Sequence, residues 1–256
     1  MNAQLDDGGW NLNVSNPTEK DFEQNKKIMK SDPDITGMAL TVLAPYRAQS
    51  KVKNAIGEGV NCLSKMQNSD GGFKGWNKTS SESISQAICG LLAVGINPNS
   101  DSRLKNGNSL VDALLDYYDA KVGGFKHVNK TSNGYEPVVN QMATEQAYYA
   151  LASYINTVPD KVAISKASKV SKTSLKVTWK HAAKGSACSG YQITAATNAK
   201  FTKGVKKTFV NGSDRTSASI SKLKKGAAYY VKVRAYKKVN GVRIYGSYSV
   251  VKKVKL

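Results

Sequence analysis

Hydrophobic positions along this chain follow two different periods, and the change falls near residue 158. In the first part three segments align without gaps: "TGMALTVLA" (36–44), "SQAICGLLA" (85–93) and "TEQAYYALA" (144–152). Each opens on a hydroxyl residue, runs through small and apolar residues, and closes on Leu-Ala. Ala39, Val42 and Leu43 share one helical face, as do Ile88, Leu91 and Leu92. Such segments are apolar nearly all round, so each is expected to be a buried helix. Pro45 stops the first, and Gly95 with Pro98 stops the second. Between them lie amphipathic stretches. "SKVKNAIGEGVNCLSKMQ" carries Val52, Ile56, Val60 and Leu63 on one stripe, and "SLVDALLDYYD" carries Leu110, Leu114 and Tyr118. Alternation of amphipathic and apolar helices predicts two layers, one sealed inside the other, in a ring or solenoid.

The phrase "QLDDGGW" (4–10) returns as "QNSDGGF" (67–73) and, altered, as "AKVGGF" (120–125). The second copy and the altered one follow an amphipathic stretch, where glycine takes the left-handed conformation that ends a helix. Asp70 suits the backbone N–H groups of such a turn. The aromatics Trp10, Phe73 and Phe125 are expected to pack back across the helix end as structural residues. Only Gln4 and Leu5 precede "DDGGW" as remnants of a helix, which gives the expectation that the chain starts inside a repeat and is the C-terminal piece of a longer protein.

Beyond "NTVPDK" (156–161) the period is two. Leu175, Val177 and Trp179 face one way with lysines between them, and Tyr229, Val231, Val233 and Ala235 alternate with Lys232 and Arg234. Further strands are expected in "AISKASKV", "GYQITAAT", "KKTFV", "SASISKL" and "YSVVKKVKL". About seven short strands between Gly, Asn and Ser turns make an antiparallel sandwich.

Charge sharpens the division. Of the 38 Lys and Arg residues, 23 lie in 159–256, where the only acids are Asp160 and Asp214 out of 18 in the chain. The first 158 residues are close to neutral. So basic a sandwich attracts polyanions, such as an anionic cell-wall polymer, while lacking a recognised nucleic-acid motif. The three cysteines are far apart, with no C-x-x-C pair, and are expected to be free thiols. No apolar run is long enough for a membrane helix.

The repeated D-G-G-aromatic phrase, with "DPDITGMAL" and "NQMATEQAYYAL", resembles the α/α-toroid repeats of the prenyltransferase and squalene/terpene cyclase superfamily, over about 3–156. That resemblance implies inner and outer helices closing into a barrel, of which three inner and two complete outer helices are counted here. It also places Asp32 and Asp34 of "DPDIT" at the first two acids of the D-x-D-D-T segment whose middle acid protonates an alkene in class II cyclases. Ile35 replaces the third acid. The expectation is therefore a capping role for Asp34 and Thr36, with Asp32 and Asp34 kept only as the alternative catalytic pair. The zinc set of protein prenyltransferases is missing: His127 is the lone histidine of this part and is expected to be exposed, so no metal and no cofactor are expected. Trp76, Glu82, Tyr135, Glu145 and Gln146 fall beside the openings of the inner helices and are the candidate ligand-binding residues.

Residues 160–256 resemble a fibronectin type III domain, with Trp179 as core tryptophan and "LKKGAAYYVKVRA" (223–235) as the segment in which Tyr229 forms a tyrosine corner. The expected organisation is a partial α/α-toroid over 1–156, a linker over 157–162 and an antiparallel β-sandwich over 163–256. Together the resemblances imply a non-catalytic bacterial protein, secreted or wall-associated, with a toroid scaffold that binds a ligand or partner. The alternative is the C-terminal part of a cyclase- or prenyltransferase-like enzyme.

Overall fold

The computed structural model describes residues 3–12, 22–75, 78–104, 107–131, 134–183, 187–239 and 241–256. Two compact units divide the chain, Met1–Tyr154 and Ile155–Leu256. The described residues of the first form helices α1 (Phe22–Ile28), α2 (Pro33–Leu43), α3 (Ser50–Met66), α4 (Ser81–Ala93), α5 (Leu110–Leu115) and α6 (Gln141–Thr157), the last running into the second unit. Two ladders of two-residue strands accompany them, β1 (Lys74–Gly75) with β2 (Lys78–Thr79), and β3 (Tyr118–Asp119) with β4 (Gly124–Phe125).

The repeated turns are built bond for bond. In the first, Gln4 Nε2 donates to the Gly8 carbonyl (2.7 Å), Asp7 accepts from Gly9 N (3.3 Å) and Leu5 N donates to the Gly9 carbonyl (2.9 Å). In the second, Gln67, Asp70 and Asn68 make the same three bonds to Gly71 and Gly72, at 3.0, 2.9 and 2.8 Å. Gly8, Gly71 and Gly123 all hold φ between 77° and 97°, the left-handed region where a side chain is strained. Trp10, Phe73 and Phe125 are buried behind these turns. Trp10 N donates to Thr36 Oγ1 (3.1 Å), and Phe125 N donates to the aligned Thr144 Oγ1 (2.9 Å). The hydroxyl that opens each of those two segments thus clasps the aromatic of its own turn.

Only α4 is buried along most of its length. It packs on α2 at the closest range the backbone allows: a Cβ on Gly37 would collide with the Gln86 carbonyl, and one on Gly90 with the Gly37 carbonyl. On α2 the buried face is Thr36, Gly37 and Leu40, while Met38 and Val42 are exposed. The face read from the pattern, Ala39, Val42 and Leu43, is therefore not the buried one. On α6 only Ala143, Ala147 and Ala150 are buried, and Tyr148, Tyr149 and Met142 face outward. Apolar composition did not guarantee burial, because on each of these two helices only part of the surface is covered. The second amphipathic helix also ends early, capped at Asp116, so Tyr117 fills the core and Tyr118 enters the ladder.

The second unit carries β5 (Ile164–Ser171), β6 (Ser174–Trp179), β7 (Gly190–Ala196), β8 (Lys206–Asn211), β9 (Ser217–Ile220), β10 (Ala228–Val239), β11 (Val242–Tyr245) and β12 (Lys252–Lys255). One sheet runs β5-β6-β9. The other runs β11-β10-β7-β8, with β12 also paired to β10. All described pairings are antiparallel. β11 is additional to the expected strands, because β10 is long enough to pair with two successive strands on one edge. Between the sheets lie Leu175, Val177, Trp179, Tyr191, Ile193, Val231 and Val233. Trp179 rests on Tyr191, ring centroids 5.2 Å apart. Lys224 N donates to the Tyr229 hydroxyl (2.9 Å), tying the loop before β10 to the start of that strand. The segment expected as a linker is packed: Val158, Pro159 and Val162 are buried, and the Pro159 carbonyl lies against Gly246.

Two glycines on neighbouring helices test this packing with opposite signs. Nothing lies within 4 Å of a Cβ built on Gly57 of α3, so Gly57→Ala is expected to stabilise by about 0.5–1 kcal/mol. Gly90→Ala drives a methyl into α2 and is expected to cost about 1–3 kcal/mol or more. Denaturant melts of both variants check this; a stabilised Gly90→Ala would mean that α2 and α4 do not touch.

Candidate functional site

Asp34 meets Ser83 at one end, Gly37 sits against Gln86 and Gly90, and Arg47 Nη2 donates to the Val94 carbonyl (2.7 Å) at the other end, so α2 and α4 run side by side in the same direction. Their first turns therefore share one end of the unit. Asp32 caps α2, accepting from Asp34 N (2.9 Å) and Ile35 N (3.1 Å). Asp34 is thus not the cap; it lies in the first turn, free to face elsewhere. Ser80 caps α4, accepting from Ser83 N (3.2 Å), and Asn140 accepts from Ala143 N (2.8 Å) at the start of α6. At these helix starts opens a cleft of about 940 Å³. Asp34, Ser80, Glu82, Ser83, Asn140 and Gln146 contribute to its walls, with Lys78, His127 and Tyr135 from the loops. Val138, Met142 and Tyr135 are exposed at its margin, so the cleft is open to solvent.

Its interior concentrates carboxylates. Glu82 is buried, accepting from Ser81 Oγ (3.2 Å), and its Oε2 lies 2.8 Å from His127 Nδ1. Burial pushes the Asp34 carboxyl up to about 6 against a hydrogen bond from Ser83. The charges of Asp32 and Glu82 add to the rise, and His127 opposes it. Asp34 Oδ1 is buried with no hydrogen-bond partner. Helix N-termini favour negative charge, which offsets part of the crowding. On the loop side Lys78 Nζ stands 3.1 Å from the centroid of the Tyr135 ring, and that ring meets His127 at 5.2 Å. The arrangement presents a carboxylate, an imidazole–carboxylate pair and an aromatic plate covered by an ammonium. It suits a polar ligand with an apolar face and a donor for Asp34. Among the described residues no group of His, Cys, Asp and Glu is arranged to hold a metal ion.

Of the candidates read from sequence, Glu82, Tyr135 and Gln146 line the cleft, as does Asp34. Gln146 also accepts from Gln86 Nε2 (3.0 Å), joining α6 to α4. Glu145 is exposed and away from it. Trp76 lies outside the described residues. His127 corrects the expectation of a solitary exposed side chain: it is half-buried in an ion-pair geometry with Glu82. Lys78 was not foreseen, since only the fold brings it over Tyr135.

Residues 160–244 match the family model of the fibronectin type III domain. Similar solved structures include the chicken CNTN1 FN1-FN3 domains, 22% identical over 38% of this chain and 30% of that chain, TM-score 0.30. They also include the FN5 domain of Drosophila Lar, 25% identical over 38% of this chain and 95% of that one, TM-score 0.30. A third is the fn3 domain of human contactin 1, 19% identical over 36% and 75%, TM-score 0.31. This chain therefore spans under a third of the length of the chicken fragment. No curated protein matches the sequence.

The Asp34 carboxyl binds its proton more tightly when folded, so its contribution to stability is lost as pH rises from about 4 to about 6. Asp34→Asn is expected to stabilise the chain at pH 7 by about 1–2 kcal/mol after allowance for residual solvent. The gain should vanish near pH 4. Melts of both proteins across that range check it; an equal difference at every pH would refute the desolvated acid.

Proposed function

We propose that this chain is a non-catalytic binding protein, in which the helical unit presents a ligand cleft and the fibronectin type III unit is a basic module that associates with an anionic polymer of a bacterial cell wall. The fibronectin type III match fits a non-catalytic, adhesion-like module. In this reading residues 1–156 are part of an α/α-toroid resembling the prenyltransferase and terpene cyclase repeats, supported by the matching turns at Gly8 and Gly71 and the aligned clasps of Thr36 and Thr144. It places the protein outside the cell or in the wall. Glu82, Tyr135 and Gln146 hold the ligand, and no cofactor is required.

The observation that carries the reading is the solvent-open cleft around Asp34. Protonating an alkene needs an acid far stronger than a carboxyl with a pKa of about 6, and it needs water excluded from the cation that forms. Asp34 holds its proton too firmly, and the cleft that it lines is open to water. What favours the alternative, an enzyme of the cyclase or prenyltransferase type, is that Asp34 keeps its proton closer to neutral pH than an ordinary carboxyl, and the two readings separate cleanly in the tube.

The expected result is that the full chain co-sediments with purified Gram-positive cell walls and forms no product from farnesyl diphosphate, geranylgeranyl diphosphate or squalene. In high salt, where the charge of the basic unit is screened, the remaining retention should fall about tenfold on replacing Tyr135 by Ala and Glu82 by Gln. Product formation that disappears in Asp34→Asn would overturn the proposal in favour of the enzyme.

A further inference from the structure

The outward side of the five-stranded sheet is not a plain lysine surface. On β10 the residues between the core positions are Tyr230, Lys232, Arg234 and Tyr236. Lys232 Nζ stands 4.1 Å from the Phe201 ring and 3.9 Å from Tyr248. Arg234 Cζ stands 3.7 Å from Tyr245 and 4.3 Å from Tyr248. Arg243 Cζ stands 4.4 Å from Phe209 and 5.1 Å from Tyr236. Cations and rings therefore alternate across the face, and each contact holds a flexible side chain in place by about 0.5–2 kcal/mol.

Among the described residues no ion pair is formed by Lys232, Arg234 or Arg243. Arg234 gives its Nε to Gln192 Oε1 (2.8 Å), and its guanidinium is desolvated enough to lower its pKa. Arg243 Nε is buried with no hydrogen-bond partner. Removing a guanidinium from water without a counter-charge is costly. An anion supplied from outside the chain repairs that cost.

We propose that this face binds a linear polyanion bearing phosphate or sulfate esters on a saturated backbone, with Lys232, Arg234 and Arg243 as the ester-binding cations. This rests on the reading of the second unit as a basic module and says which surface acts and on what chemistry. Lys232 and Arg234 are two residues apart on one strand, so their charges repeat at about 7 Å along it. The guanidinium forks match tetrahedral oxyanions in two-point contacts. The rings are already occupied by cations: Tyr248 carries two, and Tyr236 is buried against Phe209 and Tyr245. Those cations compete with nucleobases for the rings, and stacking on rings is how base-bearing single strands gain affinity. The face thus reads charge along a chain, not stacking.

The test uses the full chain with fluorescently labelled poly(glycerol phosphate), dextran sulfate and oligo-dT of matched charge, titrated in rising salt. The ester polymers are expected to bind with affinity falling steeply with salt, and oligo-dT no more tightly than poly(glycerol phosphate). Which ester polymer binds more tightly identifies the source of the anion. The pair Lys232→Gln with Arg234→Gln should lose about tenfold or more, while Lys166→Gln with Lys176→Gln on the opposite sheet, equal in charge, should lose less than about threefold. Arg243→Gln supplies the same comparison should the first pair fail to fold by circular dichroism. Equal losses from both pairs would overturn the face and leave the basic module standing. No binding of either ester polymer at low salt would overturn both, and oligo-dT binding about tenfold tighter would overturn the exclusion of bases.

Discussion

The contact on which the helical unit depends is backbone against backbone, where Gly37 of α2 meets Gln86 and Gly90 of α4. Side chains larger than hydrogen at these positions would hold the helices apart. Close approach fixes both separation and register, and the register brings the two first turns to one end. Asp34 then lies beside Ser83, with Asp32 and Glu82 near enough to raise its proton affinity. The cleft is a consequence of that register more than of any loop. Packing of this kind leaves little freedom, since interiors of crystal-like density pass a displacement on to their neighbours instead of absorbing it.

Much of this was legible because it is local. A Gln, an Asp and two glycines specify a turn whose hydrogen bonds close within five residues, so its recurrence at 4–10 and 67–73 carried over to three dimensions bond for bond. The alternation of Leu175, Val177 and Trp179 likewise needs only the strand period. Candidate residues were harder. Glu145 and Gln146 are neighbours in sequence but about 100° apart on a helix, and only Gln146 turns into the cleft. His127 looked solitary because its partner Glu82 is far away in sequence, and no local pattern encodes that pairing. Burial failed as a prediction for α2 and α6 on similar grounds, since composition does not report which neighbours a helix has.

The basic face shows the same limit from the other side. Lys232 and Arg234 are readable as outward positions of a strand, and their excess over acids is plain from composition. Their rings are not readable. Phe201, Phe209, Tyr245 and Tyr248 come from separate segments and meet on one face only after the sheet has formed. A sequence scan therefore finds a lysine-rich strand where the fold makes an ordered array of cations.

Both units hold an ionisable group in an environment that disfavours its charge, and the two cases have opposite sign. Asp34 is an acid pressed among acids with one oxygen unpaired. Arg234 and Arg243 are cations pressed among rings, and among the described residues they form no ion pair. Ordinary cores relieve such strain by pairing charges or replacing them with apolar side chains, and the replacement is frequently stabilising. Here the relief is absent in two independently packed places, at a cleft in one unit and among half-buried cations on the outward side of a sheet in the other. Sites of recognition have that property, because a polar group satisfied within its own chain has less to offer a ligand. The unpaired Asp34 oxygen and the unpaired Nε of Arg243 are thus better explained by what they meet from outside than by what they do for the fold.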